Sequence, residues 1–187
     1  MNSLSGATLV VLPGGDAARA EEFASSRGWE VVAAREVSRE TLSRARYPFI
    51  VLWSGRGIPP KEGELLLPWL EKGFEVVLGS RFVRGESIVQ RRAERDVFCE
   101  RALLWAAATL WRIPRDCLSG ILAARCETLE RLLGDSTPAA FEDVVGRALG
   151  LRMKIKETGV MWIPASGTKR GLSRERLSAV LKNARGA

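Results

Sequence analysis

A cluster of arginines follows a strand-forming segment in the middle of this chain, and its residue types suit phosphate binding. The apolar run Phe74–Leu78 is followed by Gly79-Ser80-Arg81, and further arginines stand at positions 84, 91, 92 and 95. A guanidinium group is planar, stays charged at physiological pH and donates paired hydrogen bonds to phosphate oxygens. Ligands of open α/β sheets bind where strands end. The segment therefore predicts a phosphate site formed by Ser80, Arg81, Arg84 and Arg95.

The role of these arginines has two interpretations. Arginines can flank an exposed loop and a helix start simply for solubility. Cations near a helix N-terminus oppose the helix dipole, however, so a bound anion would give them a compensating use. A further cation, Arg170, lies in the basic tail of the chain, which could clamp a phosphate, contact anionic lipid or form a solvated face. We expect Arg170 to contribute to the same phosphate site.

The missing residue types exclude several kinds of active site. The chain has no histidine, which removes Ser-His and Cys-His nucleophile pairs, histidine-bearing zinc sites and the commonest general base. Its three cysteines, Cys99, Cys117 and Cys126, show no CxxC spacing, and their odd number argues against a disulfide framework. Chemistry would have to rest on carboxylates, arginines, lysines or hydroxyls, and the catalytic residues stay unknown at this point.

The positive charge of the chain lies in its second half. Residues 1–80 carry 9 Lys/Arg against 10 Asp/Glu, whereas residues 81–187 carry 20 against 12. This asymmetry predicts an anionic partner such as a phosphorylated ligand, an anionic membrane surface or nucleic acid, and a solvated arginine-rich surface is the alternative. Nucleic acid is the least favoured partner, because the aromatic residues are not interleaved with the basic loop as a stacking platform requires.

Strand and helix patterns alternate through the first half of the chain. The predicted strands are 7–12, 29–33, 49–53 and 74–78, and the predicted helices are 16–27, 38–46 and 60–72. The run Phe49–Trp53 is continuously apolar, which favours a parallel strand covered on both faces. Strands separated by helices of this length favour right-handed βαβ crossovers.

The second half is less regular. We predict a helix over 92–111, a turn leading into a strand over 116–124, helices over 127–133 and 139–149, a strand over 152–163 with a bulge or kink at Gly159, and a basic helix over 173–183. The apolar stripe of the 92–111 helix favours core packing, and its tryptophans leave an interfacial membrane helix as the alternative. With no long linker, residues 1–187 are predicted to form a single α/β domain, with a mostly parallel sheet flanked by helices and completed by an antiparallel portion.

Five short motifs occur in an order that resembles family 2 glycosyltransferases of the polyprenyl-phosphate (dolichol-phosphate) mannose synthase type. They are Gly79-Ser80-Arg81 with Arg95, Asp116-Cys117-Leu118-Ser119-Gly120-Ile121, Phe141-Glu142-Asp143, Glu157-Thr158-Gly159-Val160 and Arg170-Gly171-Leu172-Ser173-Arg174. The resemblance covers residues 45 to 175. It implies a trimmed glycosyltransferase A-type fold, in which Arg81 and Arg95 hold the phosphates of the lipid acceptor and the leaving diphosphate.

The donor half of the resembled family has no counterpart here. The opening Pro-x-Tyr-Asn-Glu strand is missing, so the chain is expected to start one βα unit late. Where the family ends its second strand with Asp-Asp-Gly-Ser, this chain has Leu12-Pro13-Gly14-Gly15 followed by Asp16. Where the family carries the Asp-x-Asp element for Mg²⁺ or Mn²⁺, this chain has Trp53-Ser54-Gly55. We therefore expect no metal site and no cofactor.

The resemblance predicts a family 2 glycosyltransferase-like protein that lacks metal-dependent sugar transfer and retains a basic phosphate-ligand site, with polyprenyl phosphate as the first expected ligand. One alternative is an active transferase with a metal-free donor site, in which Arg56 and Asp16 take new roles. Another is a partner- or nucleic-acid-binding module, and a protein partner or homodimer stays open. No apolar run approaches the ~20 residues of a membrane span, so we expect a cytoplasmic protein that is either soluble or peripheral at the membrane surface.

Overall fold

A computed structural model describes residues 6–82, 94–111, 113–134, 138–163 and 174–185. Within these ranges, six strands form one sheet in the order β2-β1-β3-β5-β4-β6. The strands are β1 (Thr8–Val11), β2 (Glu30–Ala33), β3 (Phe49–Trp53), β4 (Val76–Ser80), β5 (Ile121–Arg125) and β6 (Ile155–Gly159). The predicted strands are thus present, with shifts of a few residues at their ends.

One strand runs against the direction of the other five. Strand β1 pairs in parallel with β2 and β3, and β4 pairs in parallel with β6. Strand β5 lies between β3 and β4 and is antiparallel to both, so that Leu122 is opposite Leu52 on one side and Leu78 on the other. The predicted fold class, a mostly parallel α/β sheet with an antiparallel portion, is confirmed.

Helices cover both faces of the sheet. They are α1 (Ala17–Arg27), α2 (Arg39–Ser43), α3 (Leu67–Glu71), α4 (Glu94–Trp111), α5 (Cys126–Leu133), α6 (Phe141–Gly150) and α7 (Arg174–Arg185), with a 3₁₀ helix at Pro60–Leu65. Local signals set the bounds of α1, because the Asp16 carboxylate accepts from the Arg19 amide and Gly28 ends the helix at a φ of 67°. Among the described helices, none combines the length and apolar character needed to cross a bilayer.

The core consists of two apolar layers, one on each face of the sheet. Alternate residues of β3 divide between them: Leu52 packs in the layer that α4, α5, α6 and α7 cover, and Trp53 packs in the layer that α1 and α3 cover. The last four residues of β3 are all buried, as expected for a strand covered on both faces.

Two local predictions were inaccurate. The helix predicted over 60–72 is a 3₁₀ helix followed by the short α3, because Pro68 has no amide hydrogen and is tolerated only in the first turn of an α-helix. Gly159 does not interrupt its strand. It is the last residue of β6 and pairs with Ser80 of β4, so it marks the end of the strand.

Candidate functional site

The loops that carry the candidate residues meet at one end of the strands, where the parallel strands finish. We call this side of the sheet the strand-end edge. Strands β1, β3 and β4 end there and the antiparallel β5 begins there, which brings residues 12–16, 54–58, 81–82 and 116–120 together. Two backbone hydrogen bonds tie these loops: the Leu12 amide donates to the Trp53 carbonyl at 2.8 Å, and the Ser54 amide donates to the Gly120 carbonyl at 2.8 Å. This edge is where ligands of open α/β sheets bind.

Arg81 forms a buried ion pair with Asp116 at this edge. Its Nε and Nη2 donate to the two carboxylate oxygens at 2.9 and 2.8 Å, and its backbone amide donates to Oδ2 at 2.7 Å. Asp116 is fully buried and Arg81 is 7% exposed. The guanidinium carbon also lies 5.4 Å from the centre of the Trp162 ring. The predicted phosphate ligand Arg81 therefore joins the end of β4 to the loop before β5.

The sequence motif contained Asp116 but gave no indication of its partner. The two residues lie 35 positions apart, and they meet because β5 returns beside β4. Glu157 completes this polar group, since its Oε1 accepts from the Asp116 amide at 2.9 Å. Glu157 lies beside Leu78 because β6 pairs in parallel with β4. This position could not be predicted from the sequence, because it depends on the order of the strands in the sheet.

Cys117 follows Asp116 of this ion pair in the chain, and its thiol is unreactive. Burial, followed by the neighbouring charge of Asp116, raises the pKa of its thiol to about 12 from an ordinary value of 9.0. A thiol with such a high pKa stays protonated at neutral pH and is a poor nucleophile. Cys117 is thus a packed core residue of the strand-end edge.

The other predicted phosphate ligands differ in how far the structure describes them. Ser80 is fully buried, and its hydroxyl oxygen accepts from the Phe82 amide at 3.3 Å, so it stabilises the turn that leaves β4. Arg95 lies in α4, and its side chain is outside the described residues. Arg84 and Arg170 also lie outside the described residues. Their predicted contacts with phosphate stay predictions.

The segment Trp53-Ser54-Gly55, in which the resemblance led us to expect no metal site, is tightly packed. The Trp53 indole is buried and donates to the Ile58 carbonyl at 2.7 Å. The Ser54 hydroxyl donates to the Gly120 carbonyl at 3.2 Å. Gly55 has a φ of 71°, and a Cβ built on it would lie 2.2 Å from the Gly14 carbonyl oxygen. The two strand-end loops therefore touch through their backbones.

These residues do not fit a divalent metal ion. Mg²⁺ and Mn²⁺ prefer several oxygen ligands, chiefly carboxylates, and the segment offers one hydroxyl that already donates to a carbonyl. The remaining acid of the neighbouring loop, Asp16, caps α1. Within the described ranges, no group of three or more acidic or cysteine side chains could hold a metal.

A second ion cluster links Arg56 to the two C-terminal helices. Arg56 donates from Nη2 to Glu142 Oε1 at 2.7 Å and from Nη1 to the Leu118 carbonyl at 3.2 Å. Arg176 of α7 donates to the same Glu142 oxygen. The Arg56 backbone has a φ of 48°, and its carbonyl accepts from the Trp162 indole. Arg56 was proposed from the sequence only as part of a metal-free donor site, and in the structure it belongs to this ion cluster.

The cluster also accounts for the acidic pair at the start of α6. Glu142 accepts one hydrogen bond from Arg56 and another from Arg176. Asp143 accepts from the Ala140 amide, as a helix cap does, and from the Asn183 side chain of α7 at 2.7 Å. Both acids thus hold α6 and α7 against the end of β3. This contact has no local signal in the sequence, because Arg56 and Glu142 lie 86 positions apart.

Comparisons with known proteins give a likeness in fold. No protein-family model matches the chain, and no curated protein sequence is significantly similar to it. The crystal structure of a mycobacterial protein aligns with 95% of this chain and 74% of its own, at 17% identity and a TM-score of 0.51. Glucosyl-3-phosphoglycerate synthase from Mycobacterium tuberculosis, in complex with Mn²⁺ and UDP-glucose, aligns with 95% of this chain and 78% of its own, at 18% identity and a TM-score of 0.46.

The same enzyme with Mn²⁺, UDP-glucose and phosphoglyceric acid bound aligns with 95% of this chain and 79% of its own, at 19% identity and a TM-score of 0.48. The likeness to the mycobacterial protein, at a TM-score of 0.51 and 17% identity, supports the α/β fold alone. Similarity of fold alone does not carry substrate or activity from one protein to another.

Proposed function

We propose that this chain is a glycosyltransferase-like protein that lacks metal-dependent sugar transfer and binds a phosphorylated ligand through its basic segment. Its relation to polyprenyl-phosphate mannosyltransferases is part of the proposal and rests on the five motifs in order. Polyprenyl phosphate is the first ligand to test, because the resemblance concerns the acceptor half of that family.

The packing of Trp53-Ser54-Gly55 is the observation that carries the proposal. In the resembled family this strand end supplies carboxylates to a metal on the donor diphosphate. Here an indole is buried, a hydroxyl is satisfied by a carbonyl, and a glycine lies against the Gly14 backbone. A metal would have to displace this packing and then find its ligands elsewhere, which supports loss of metal-dependent transfer.

The acceptor side is supported by charge and by the way the basic segment begins. The second half of the chain carries 20 Lys/Arg against 12 Asp/Glu. Ser80 and Arg81 fix the point where the chain leaves β4, since both are held by hydrogen bonds at the strand-end edge. Arg84 and Arg95 stand 3 and 14 positions after Arg81, and Arg170 belongs to the closing motif. In this proposal Arg81 positions the segment, and the other arginines contact phosphate.

Titration calorimetry with UDP and GDP, each with and without Mn²⁺, tests the donor half. We expect no metal-dependent binding, and no transfer from nucleotide-linked mannose or glucose to a lipid phosphate. Metal-dependent transfer of mannose or glucose to the lipid phosphate would refute the proposal. Metal-independent nucleotide binding would favour the alternative of a metal-free donor site, for which Arg56 and Asp16 are the candidates despite their contacts with Glu142 and Arg19.

Binding of farnesyl phosphate, a short polyprenyl phosphate, tests the acceptor half. Replacing Arg84, Arg95 or Arg170 by alanine should each weaken binding about tenfold, because a hydrogen bond to a charged group contributes about 1.5–3 kcal/mol. Arg44→Ala is the matched control, since Arg44 is an exposed arginine at the end of α2. Equal losses in the control and the three variants would mean that binding reflects overall charge alone.

A further inference from the structure

Helix α4 presents large apolar side chains to solvent. Leu103, Trp105 and Leu110 are 51%, 62% and 72% exposed. The opposite side of the same helix packs in the core through Leu104 and Ala107, which are buried. The sequence pattern favoured core packing for the whole apolar stripe, and the structure shows that only part of it is covered. Large apolar side chains left exposed on one helix mark candidate interaction sites.

The exposed side of α4 has almost no polar group. Residues 102–111 contain no charged side chain. Their one hydroxyl belongs to Thr109, and it donates to the Trp105 carbonyl within the helix at 2.9 Å. Desolvating this surface therefore breaks no ion pair and removes no hydroxyl from its partner.

We propose that the surface formed by Leu103, Trp105 and Leu110, the α4 apolar face, binds the interfacial region of an anionic lipid bilayer, with the helix lying along the membrane surface. Residues 102–111 span about 15 Å as a helix, which is about half the thickness of a hydrocarbon core. Apolar residues that include tryptophan enter the boundary between head groups and acyl chains in interfacial helices.

The charges at the two ends of the apolar segment favour anionic lipid. Arg112 and Arg115 are the first charged residues after it, and Arg101 is the nearest before it. Arg115 is exposed. Farther towards the N-terminus the charges of α4 are mixed, with Arg95 among Glu94, Asp96 and Glu100. Arginine side chains beside a buried apolar segment can extend towards lipid phosphates while their stems stay in apolar surroundings.

The exposed area is too small for a stable dimer built on this surface. With about 150–250 Å² for each large side chain, the three exposed fractions sum to roughly 300–450 Å². A stable protein–protein interface buries about 800 Å² on each partner. A bilayer has no such threshold, because an interfacial helix gains free energy in proportion to the apolar area it inserts.

Vesicle co-sedimentation tests the proposal. Attachment through α4 does not require the phosphorylated ligand proposed above, so the vesicles contain only phosphatidylcholine and phosphatidylglycerol at about 7:3. We expect binding to these vesicles and at least tenfold weaker binding to pure phosphatidylcholine. Trp105→Ala and Leu110→Ala should each lower the partition coefficient on the order of tenfold, and the double variant about 100-fold.

The matched controls are Leu65→Ala and Leu151→Ala, which remove exposed leucines, 51% and 49% accessible, from other parts of the surface. They should bind vesicles like the unchanged protein. Equal loss in controls and α4 variants, equal binding to neutral vesicles, or no binding by the unchanged protein would each overturn the proposal. A dimer in light scattering that Leu110→Ala converts to a monomer would assign the surface to a second copy and also overturn it.

Quenching by brominated lipids adds a measurement that reports position. Trp105→Phe keeps an apolar ring on the helix, so this variant should still bind the vesicles. If Trp105 inserts, its replacement should remove most of the quenching of tryptophan fluorescence by lipids brominated near the head group. Unchanged quenching in Trp105→Phe would show that another surface contacts the bilayer. Circular dichroism of each variant confirms that the fold is retained.

Discussion

Replacing Asp116 by asparagine tests whether the buried ion pair with Arg81 holds the strand-end edge together. The carboxylate accepts three hydrogen bonds from Arg81, one from the backbone amide and two from the guanidinium group, at 2.7 to 2.9 Å. Asparagine has nearly the same shape but no charge, and it has a single acceptor oxygen in its side chain. Its amide group would face an N–H donor of Arg81.

The expected loss of stability follows from burial and from the number of hydrogen bonds. Asp116 is fully buried and Arg81 is 7% exposed, so solvent screens the pair weakly. Removing one partner of a buried ion pair costs about 3–5 kcal/mol, because the remaining charge stays buried without it. The free energy of unfolding of a domain is about 5–15 kcal/mol in total. Asp116→Asn should therefore remove a large fraction of the stability.

Urea unfolding followed by circular dichroism measures this loss. The matched control is Glu64→Gln, because Glu64 pairs with Arg27 at 3.0 Å on the surface, with side chains 37% and 55% exposed. Exposed ion pairs contribute about 0–1 kcal/mol, so the control should stay within that range. A loss below about 1 kcal/mol in Asp116→Asn, no larger than in the control, would refute the reasoning.

A double-mutant cycle separates the ion pair from other effects of the substitution. Arg81→Leu alone should also destabilise the protein, since it leaves the Asp116 carboxylate buried without the guanidinium group. The double variant removes both charges, and its loss should be smaller than the sum of the single losses by about 2 kcal/mol or more. Additive losses would mean that Arg81 and Asp116 stabilise the edge independently.

Three further predictions concern the surroundings of this site. The raised pKa of the Cys117 thiol, about 12, means that the unfolded chain releases this proton first as the pH rises above about 9. Urea unfolding should show stability falling towards pH 12 by up to about 1.4 kcal/mol per pH unit, and Cys117→Ala should lack this contribution. Glu142→Gln leaves Arg56 and Arg176 together without the carboxylate and should cost about 2–3 kcal/mol, with faster hydrogen exchange in α7, whereas the exposed Glu175→Gln should change little. Ser54→Asp should lower the urea midpoint without creating Mn²⁺ binding, because the buried carboxylate would face the Gly120 carbonyl, and Mn²⁺ binding at unchanged stability would contradict the packing argument.

The sequence predicted the elements whose signals are local. The bounds of β3 agree with the continuous apolar run Phe49–Trp53, because a strand covered on both faces needs no polar position. Helix α1 ends where predicted, at a glycine with positive φ. The helix predicted over 60–72 is divided for a local reason as well, since Pro68 is tolerated only in the first turn of an α-helix. Local chemistry thus defines most of the architecture.

The contacts of the candidate site depend on distant residues and were not predictable in this way. Arg56 was considered only for a metal-free donor site, and its pairing with Glu142 requires that α6 pack beside the end of β3. Arg81 was correctly placed at the end of a strand, but its buried partner Asp116 depends on β5 returning between β3 and β4. An arginine fork suits a protein carboxylate as well as a phosphate, so residue type alone could not distinguish them.

The position of β5 between β3 and β4 has a consequence for the order in which the chain folds during synthesis. Strands β1, β2 and β3 can pair as soon as residue 53 has emerged, whereas β4 has its described sheet neighbours only in β5 and β6. All five residues of β4 are buried in the finished sheet. About 40 residues separate Ser80 from Ile121, which take roughly 2–8 s to synthesise. During that interval β4 is an unpaired apolar strand, so nascent chains arrested before residue 121 should depend on chaperones to stay soluble.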